Sequence, residues 1–466
     1  MVVLSEFGRS FGGSVSQAAR PNYARFVAGA AAALGAMACV ASVTEPMALW
    51  AMFAGVALVA SLCLALTYPV SASVGWFVLV ATTPEMLIGD IWGNGSLILA
   101  GVKLIGLGLV GVSIVRFGAA ADPFNPGLAF VLMFAVSLVH GRAPDLDMDE
   151  SLRSLIGSFA PFAFSWSRLS RPWAAAIIRL TRWLPLILIG LGAVAQVAGI
   201  RPLFVSDMGW RLEATGHPAF LGGFTLAAVE ACLLELLRDG RRAHLVLLLV
   251  NLAILVLTGA RAPMAIGLVV TAICIVAIPS KRFGVVPRVT LALAGLCLLP
   301  LLVVAAGALS DVRLFNMLSS EAGNMSGRDL IWPFFQEAWD KSPWLGWGVG
   351  AGKTVMPVGT ELVKLLGTTA AHDEYLRIGV EGGWLGLGLL ILLFVGWTVW
   401  HTRRMGQPDR AVMRVVMLAF AVHAYTDNVL IATTSSVLFT WVSAVWARGA
   451  MERADSADAG RIATAL

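Results

Sequence analysis

The stretch LVLLLVNLAILVL, from Leu245 to Leu257, decides the fold class, because it is almost solid Leu, Val, Ile and Ala, interrupted only by Asn251. Similar apolar runs recur along the chain, of which 58% is hydrophobic and 13% is charged. Runs of roughly 18–24 apolar residues are typical of helices that cross a bilayer. Open sheets cannot cross lipid, because their edge amides would lack partners, and these runs lack the alternation of a β-barrel.

We therefore predict an all-α integral membrane protein, a polytopic bundle of about 12–14 transmembrane helices with one large periplasmic loop. Residues 1–466 form a single transmembrane domain, and the loop, residues 311–377, is a subdomain between late helices. The tail after Ala450 is expected to be disordered. The predicted spans are residues 26–43, 48–67, 71–88, 97–116, 126–140, 151–166, 176–199, 217–237, 244–258, 263–279, 288–309, 378–400, 411–426 and 429–447.

The distribution of positive charge predicts the orientation of the bundle. Most of the 33 Lys and Arg residues lie in alternate loops, and the loops between them share the rest over a much greater length. By the positive-inside rule, both termini are cytoplasmic and residues 311–377 are outside. The formal net charge of +5 follows from these cytoplasmic anchors. It therefore does not indicate a nucleic-acid partner.

Arginines on the predicted outer side are the first candidates for chemistry. Arg261 lies in a tight break between two strongly apolar helices, Thr258-Gly259-Ala260-Arg261-Ala262-Pro263. A guanidinium at the edge of the hydrocarbon is costly, and a compensating anion is the simplest reason to keep it. Arginine also matches phosphate bidentately where lysine does not. We favour an anion-binding role for Arg261 and Arg211; the alternative is that they reach lipid headgroups.

His372 stands where the long outer loop meets an apolar helix, in Ala371-His372-Asp373-Glu374-Tyr375-Leu376-Arg377. A histidine near the water boundary can act as a base near neutral pH, or it can form local hydrogen bonds, and the residues alone favour neither role. For Asp373, capping the following helix is favoured over orienting the imidazole. For His217 a structural role is favoured, and for Asp427-Asn428 a turn is favoured over binding sugar hydroxyls.

Three stretches, in this order, resemble the O-antigen ligase and polymerase family of bacterial envelope glycosyltransferases. The first is Thr258-Gly259-Ala260-Arg261. The second is Ser326-Gly327-Arg328-Asp329-Leu330-Ile331-Trp332, followed by Pro343-Trp344-Leu345-Gly346-Trp347-Gly348. The third is His372-Asp373-Glu374-Tyr375-Leu376, running into Glu381-Gly382-Gly383-Trp384-Leu385-Gly386. Arg211 with Gly216-His217-Pro218 also resembles a stretch of the family, and the likeness covers residues 200–440. One departure is Asp373, where the family usually has Asn.

The resemblance implies an all-helical, metal-independent glycosyltransferase in the bacterial inner membrane, with its active site facing the periplasm and no cofactor. Its donor would be an undecaprenyl-pyrophosphate-linked oligosaccharide, which enters from the membrane lipid. His372 would be the base for the acceptor hydroxyl, and Arg211 and Arg261 would hold the pyrophosphate. Arg328, Arg377 and His217 would shape the loop or contact substrate. The outer-side arginines agree, since a leaving pyrophosphate needs charge stabilisation.

Three functions are open at this point. The favoured one is a polymerase of polysaccharide repeat units, O-antigen or exopolysaccharide, because residues 372–377 look more like exopolysaccharide polymerases. The second is a ligase that transfers the lipid-linked glycan to lipid A-core. The third is a polysaccharide or other membrane transporter. Transporters carry inverted repeats and helices broken at midplane, and the sequence shows neither.

Overall fold

The computed structural model describes residues 61, 63–87, 95–206, 209–294, 328–356, 360–366 and 368–465. The chain divides into a unit of residues 1–69 and a larger unit of residues 70–466. The predicted all-α fold is confirmed, because the described elements are helical apart from one two-stranded antiparallel hairpin. The predicted span at residues 26–43, and residues 311–327 of the predicted loop, lie outside the described residues.

The helices are numbered here in chain order, and the two strands form the hairpin between α6 and α7. They are α1 (Pro69–Ala81), α2 (Pro84–Leu87), α3 (Gly95–Phe117), α4 (Gly127–His140), α5 (Met148–Phe159), α6 (Arg171–Val197), β1 (Phe204–Ser206), β2 (Trp210–Leu212), α7 (Pro218–Asp239), α8 (Arg242–Thr258), α9 (Arg261–Ala277), α10 (Val285–Ala294), α11 (Arg328–Lys341), α12 (Glu361–Leu366), α13 (Glu374–Thr402), α14 (Asp409–Thr426) and α15 (Thr433–Ala465). Short 3-10 turns cover Ala160–Trp166 and Ala351–Lys353.

Four of the described helices, α3, α6, α7 and α13, are long and apolar enough to cross a membrane. The shorter apolar helices α1, α4, α8 and α9 overlap further predicted spans. Helix α10 overlaps the start of the predicted span at residues 288–309, most of which lies outside the described residues. The predicted total of about 12–14 spans stays a prediction. Within residues 328–377, the described helices α11 and α12 are short, as expected of the large loop.

Two predicted elements differ from the structure. The span expected at residues 151–166 is the amphipathic helix α5 followed by a 3-10 turn, which begins where Pro161 withdraws a backbone donor. The tail after Ala450 is not disordered, because α15 continues to Ala465. Ion pairs that reach the tail help to hold it, including Arg238 with Glu452 and Arg171 with Asp455.

Helix α7 is at the centre of the bundle. Of its most apolar 18 residues, 89% are buried, whereas the figure for α6 is 39%. It packs against α6, α8, α9, α14 and α15. Its close contacts rely on adjacent glycines. A Cβ on Gly222 would lie 2.7 Å from Ala260 Cβ, and a Cβ on Gly223 would lie 2.6 Å from Thr434 Cγ2. Small residues at such positions let helix backbones approach closely in a membrane.

Candidate active site

His372 directly precedes the cap of α13, with a backbone φ of +49° that is uncommon for a residue other than glycine. Its Nδ1 lies 3.0 Å from Asp427 Oδ1, and its Nε2 lies 3.3 Å from Thr368 Oγ1. Its side chain is 36% exposed. Backbone conformations of this kind cost about 1–3 kcal/mol and cluster at functional sites. The imidazole is therefore held at Nδ1 by a carboxylate and at Nε2 by a longer contact with a hydroxyl, and its side chain is still partly exposed.

Asp427 directly follows α14, and its Oδ1 also accepts a hydrogen bond from the Asn428 backbone N–H at 2.8 Å. Burial acts to raise the pKa of this carboxyl, but the hydrogen bond and charge of His372, with a contribution from His423, hold the pKa below its ordinary value. An ionised Asp427 accepts a hydrogen bond from His372 Nδ1–H. This tautomer leaves a lone pair on Nε2, the nitrogen that a general base needs.

Asp373 has the capping role that was favoured from the sequence. Its Oδ1 accepts hydrogen bonds from the backbone N–H groups of Tyr375, at 2.8 Å, and Leu376, at 3.2 Å. Burial raises the pKa of its carboxyl, partly offset by these N–H groups and by the charge of Arg328. Asparagine caps helices as well as aspartate does. The departure from the family's usual Asn therefore keeps the local structure.

Helix α11 supports both members of the His372–Asp427 pair. Arg328 Nη2 donates to the carbonyl of Thr426 at 2.6 Å, the residue before Asp427. One turn along, Trp332 Nε1 donates to the carbonyl of Ala371 at 2.9 Å, the residue before His372. Arg328 therefore ties α11 to the residue before Asp427, and its role in shaping the loop stays a prediction.

Arg377 is fully enclosed rather than facing a ligand. Its Nε lies 2.5 Å from Glu374 Oε2 and its Nη1 lies 2.8 Å from Glu381 Oε2, and all three side chains are at most 4% exposed. Glu374 Oε1 in turn accepts the backbone N–H of Leu430 at 2.6 Å. Arg377 therefore holds Glu374 in place, and Glu374 in turn holds Leu430 in the segment after Asp427. A direct substrate contact by Arg377 stays a prediction.

Arg211 contacts the corner between α8 and α9, the corner at which Arg261 also lies. Arg211 lies on β2, is 7% exposed, and donates from Nε to the carbonyl of Thr258 at 3.1 Å. Thr258 ends α8, Gly259 turns the chain with a φ of +60°, and the exposed Arg261 begins α9. The two arginines are 50 residues apart in the sequence. The hairpin places Arg211 against Thr258, which precedes Arg261 by three residues.

These arginines lie at the same end of the bundle as the His372–Asp427 pair. Gly222 contacts Ala260, directly before Arg261, and the adjacent Gly223 contacts Thr434, in the first turn of α15. Both contacts are near the start of α7. The segment from Asp427 to Thr434 connects α14 to α15 at this end. The candidate base and the two arginines therefore lie toward the same end of the bundle.

His217 caps α7, since its Nδ1 accepts the backbone N–H of Ala219 at 3.2 Å and its ring lies edge-on to Phe220. The structural role favoured from the sequence fits this geometry. Among the described residues, one group has the spacing of metal ligands, Glu235, Asp239 and His244, at the opposite end of α7. Arg448 pairs with Glu235, and Arg182 Nη1 lies 2.8 Å from His244 Nδ1, so two of these three residues already contact arginines.

The partner of His372 could not be found from sequence. Asp427 was expected only to form a turn, and it does directly follow α14. Its carboxylate also contacts the imidazole of His372, which lies 55 positions earlier in the sequence. Thr368 likewise had no signal in the sequence, and Glu374 had none beyond its place in the quoted stretch that begins at Ala371. The one hint in the sequence was that Asp427 is a carboxylate at the predicted outer end of a pair of helices late in the chain.

Comparison with known proteins gives one match. Residues 245–391 match a family model described as O-antigen ligase. The matched segment runs from α8 into α13 and includes Arg261, Arg328, His372 and Arg377. Arg211, His217 and Asp427 lie outside it. No curated protein matches the chain.

Proposed function

We propose that this chain, whose residues 245–391 belong to the O-antigen ligase family, is a membrane glycosyltransferase that uses undecaprenyl-pyrophosphate-linked glycans at the periplasmic face of the bacterial inner membrane. The observation that carries the proposal is the His372–Asp427 pair at the same end of the bundle as Arg211 and Arg261. A glycosyl transfer needs a base for the acceptor hydroxyl and cations for the leaving pyrophosphate, and this end of the molecule supplies both.

In the reaction, the acceptor hydroxyl gives its proton to His372 Nε2 as its oxygen bonds to the anomeric carbon of the donor sugar. The bond from that carbon to the pyrophosphate oxygen breaks, and the lipid pyrophosphate leaves with the electron pair. Asp427 holds Nδ1–H and stabilises the imidazolium that forms. Thr368 Oγ1, 3.3 Å from Nε2, marks a position from which a hydroxyl can reach the base.

Arg211 and Arg261 stabilise the negative charge that develops on the pyrophosphate. The two guanidiniums have different surroundings, because Arg211 is nearly buried and fixed by the Thr258 carbonyl, whereas Arg261 is exposed at the first turn of α9. The start of a helix also favours anions through its unpaired N–H groups. Arg261 is therefore suited to meet a lipid-linked donor that arrives from the bilayer, and Arg211 to fix its position.

The charge distribution supports the periplasmic assignment. Four arginines lie at the other end of α7, namely Arg238, Arg241, Arg242 and Arg448. Basic clusters of this kind mark the cytoplasmic side. His372, Arg211 and Arg261 lie at the end away from this cluster, which supports a site that faces the periplasm.

Two acceptors fit this chemistry. We favour a growing lipid-linked glycan, which makes the protein a polymerase, because of the sequence at residues 372–377. The description of the matched family favours the second candidate, a ligase that transfers the glycan to lipid A-core. Both reactions use the same base and the same leaving group, and neither mechanism assigns a role to a metal ion.

The lipid-linked glycans that accumulate in a deletion strain test the proposal and separate the candidates. Single capped repeats indicate a polymerase, and long undelivered chains indicate a ligase. An unchanged glycan profile would contradict the proposal and favour a transporter of other cargo. Complementation with the wild-type chain and with His372→Ala, at equal membrane abundance, links the phenotype to the site.

A further inference from the structure

Lys103 is a buried cation in the membrane-spanning helix α3, outside the segment that matches the family model. Its side chain is 0% exposed. It lies eight residues from the start of α3, which is about 12 Å along the helix axis. A charged group at this depth is expensive, and intramembrane lysines are rare unless they have a function. Its contacts therefore indicate what it does.

The Lys103 ammonium joins two distant parts of the protein. Nζ donates to the carbonyl of Gly157, in the last turn of α5, at 2.8 Å. It also donates to the carbonyl of Ile431 at 2.7 Å, across 328 residues of sequence. The unpaired carbonyls at a helix C-terminus favour a cation, which accounts for the first contact. The second contact fixes the connection between α14 and α15.

That connection, residues 427–432, begins with the partner of the candidate base. The other contacts that fix it come from Glu374 Oε1, which accepts the Leu430 N–H at 2.6 Å, and Ser435 Oγ, which donates to the Leu430 carbonyl at 2.8 Å. Glu374 is itself held by Arg377. Lys103 therefore reaches the segment from the α3 side, through a direct hydrogen bond to its backbone.

We infer that Lys103 is a positioning residue for the reaction: it anchors residues 427–432 so that the Asp427 carboxylate meets His372 Nδ1. This inference rests on the proposed function, although the anchoring itself does not. A methionine of similar length would pack in the same space without an ionic desolvation cost. The charge and the two hydrogen bonds are therefore better explained by the need to fix one geometry than by stability alone.

Hydrogen exchange and transfer kinetics of Lys103→Met test the inference. The Leu430 amide should exchange faster in the variant, because its segment loses an anchor. The kcat should fall about tenfold or more, while KM for the lipid-linked donor stays within about twofold, since a misplacement of about 1 Å can cost about 10²-fold in rate. In an Asp427→Asn background, Lys103→Met should add little, because both changes act through the same carboxylate.

Lys364→Met is the matched control, because Lys364 is exposed and pairs with the exposed Glu361. It should change neither readout. If Lys103→Met fails to insert, Lys103→Gln is tested instead, since it keeps N–H donors without the charge. It should also give faster exchange at Leu430 and a lower kcat, with both changes smaller than in Lys103→Met. Unchanged exchange at Leu430, or an unchanged kcat, overturns the inference. If the wild-type protein transfers no glycan, the proposed function fails, and the exchange data still decide the anchoring.

Discussion

The Nδ1 atom of His372 lies 3.0 Å from Oδ1 of Asp427, although the two residues are 55 positions apart and belong to different helix ends. Each has separate support, since α11 bonds to the residue before each of them and Glu374 holds the segment after Asp427. A histidine that is paired with a carboxylate through one nitrogen and has a hydroxyl within reach of the other has the arrangement of a general base.

Replacing Asp427 tests the importance of this pairing. Asp427→Asn should lower kcat by about 10²–10⁴-fold, because the amide neither fixes the Nδ1–H tautomer nor stabilises the imidazolium. Donor binding should stay near the wild-type level. The measurement is transfer by purified protein in lipid, with donor binding measured separately. Asp340→Asn, at an exposed position on α11, is the matched control. Wild-type kcat in Asp427→Asn would remove the pair from the mechanism.

Arg261 should contribute through its fork of donors as well as its charge. Arg261→Lys keeps the charge but loses the bidentate match to phosphate, so donor affinity and transfer should both fall, and Arg261→Ala should be weaker still. Insertion and thermal unfolding should be unchanged, because the side chain is exposed. Arg241→Lys changes an exposed arginine at the opposite end of α8 and should have no effect. Full transfer by Arg261→Ala would exclude this residue from the site.

Substitution of Arg377 distinguishes a structural role for this residue from a contact with substrate. Arg377→Met leaves Glu374 and Glu381 buried without a cation, and breaking a buried pair in this way costs about 3–5 kcal/mol. The thermal unfolding temperature in detergent should drop sharply. A triple variant with Glu374→Gln and Glu381→Gln should recover much of the loss, because no buried charge is left unpaired. A stable Arg377→Met protein with weakened donor binding would show instead that Arg377 contacts substrate.

Cysteine labelling tests the orientation on which the periplasmic assignment depends. A single cysteine at exposed Glu361, in the large outer segment, should react with an impermeant maleimide in intact spheroplasts. A cysteine at exposed Arg241, at the opposite end of α8, should react only after permeabilisation. The reversed pattern would place the site in the cytoplasm and contradict the assignment.

The sequence predicts the fold class and much of the site from local signals. Apolar runs locate α3, α6, α7 and α13, and the break before Arg261 follows from Gly259. The tail was mispredicted because its stabilising ion pairs come from distant helices. The contacts of Asp427 and Lys103 have the same character, since they join residues 55 and 328 positions apart. No periodicity or spacing encodes such pairings.

The most direct test of the central claim, that His372 is the general base, is the kcat of purified His372→Gln in lipid. Glutamine can keep a hydrogen bond to Asp427 but cannot take a proton, so a residue that only anchors the loop would tolerate this change in part. We predict a loss of about 10²–10⁴-fold in kcat with donor binding preserved. Transfer at near the wild-type rate would contradict the catalytic assignment.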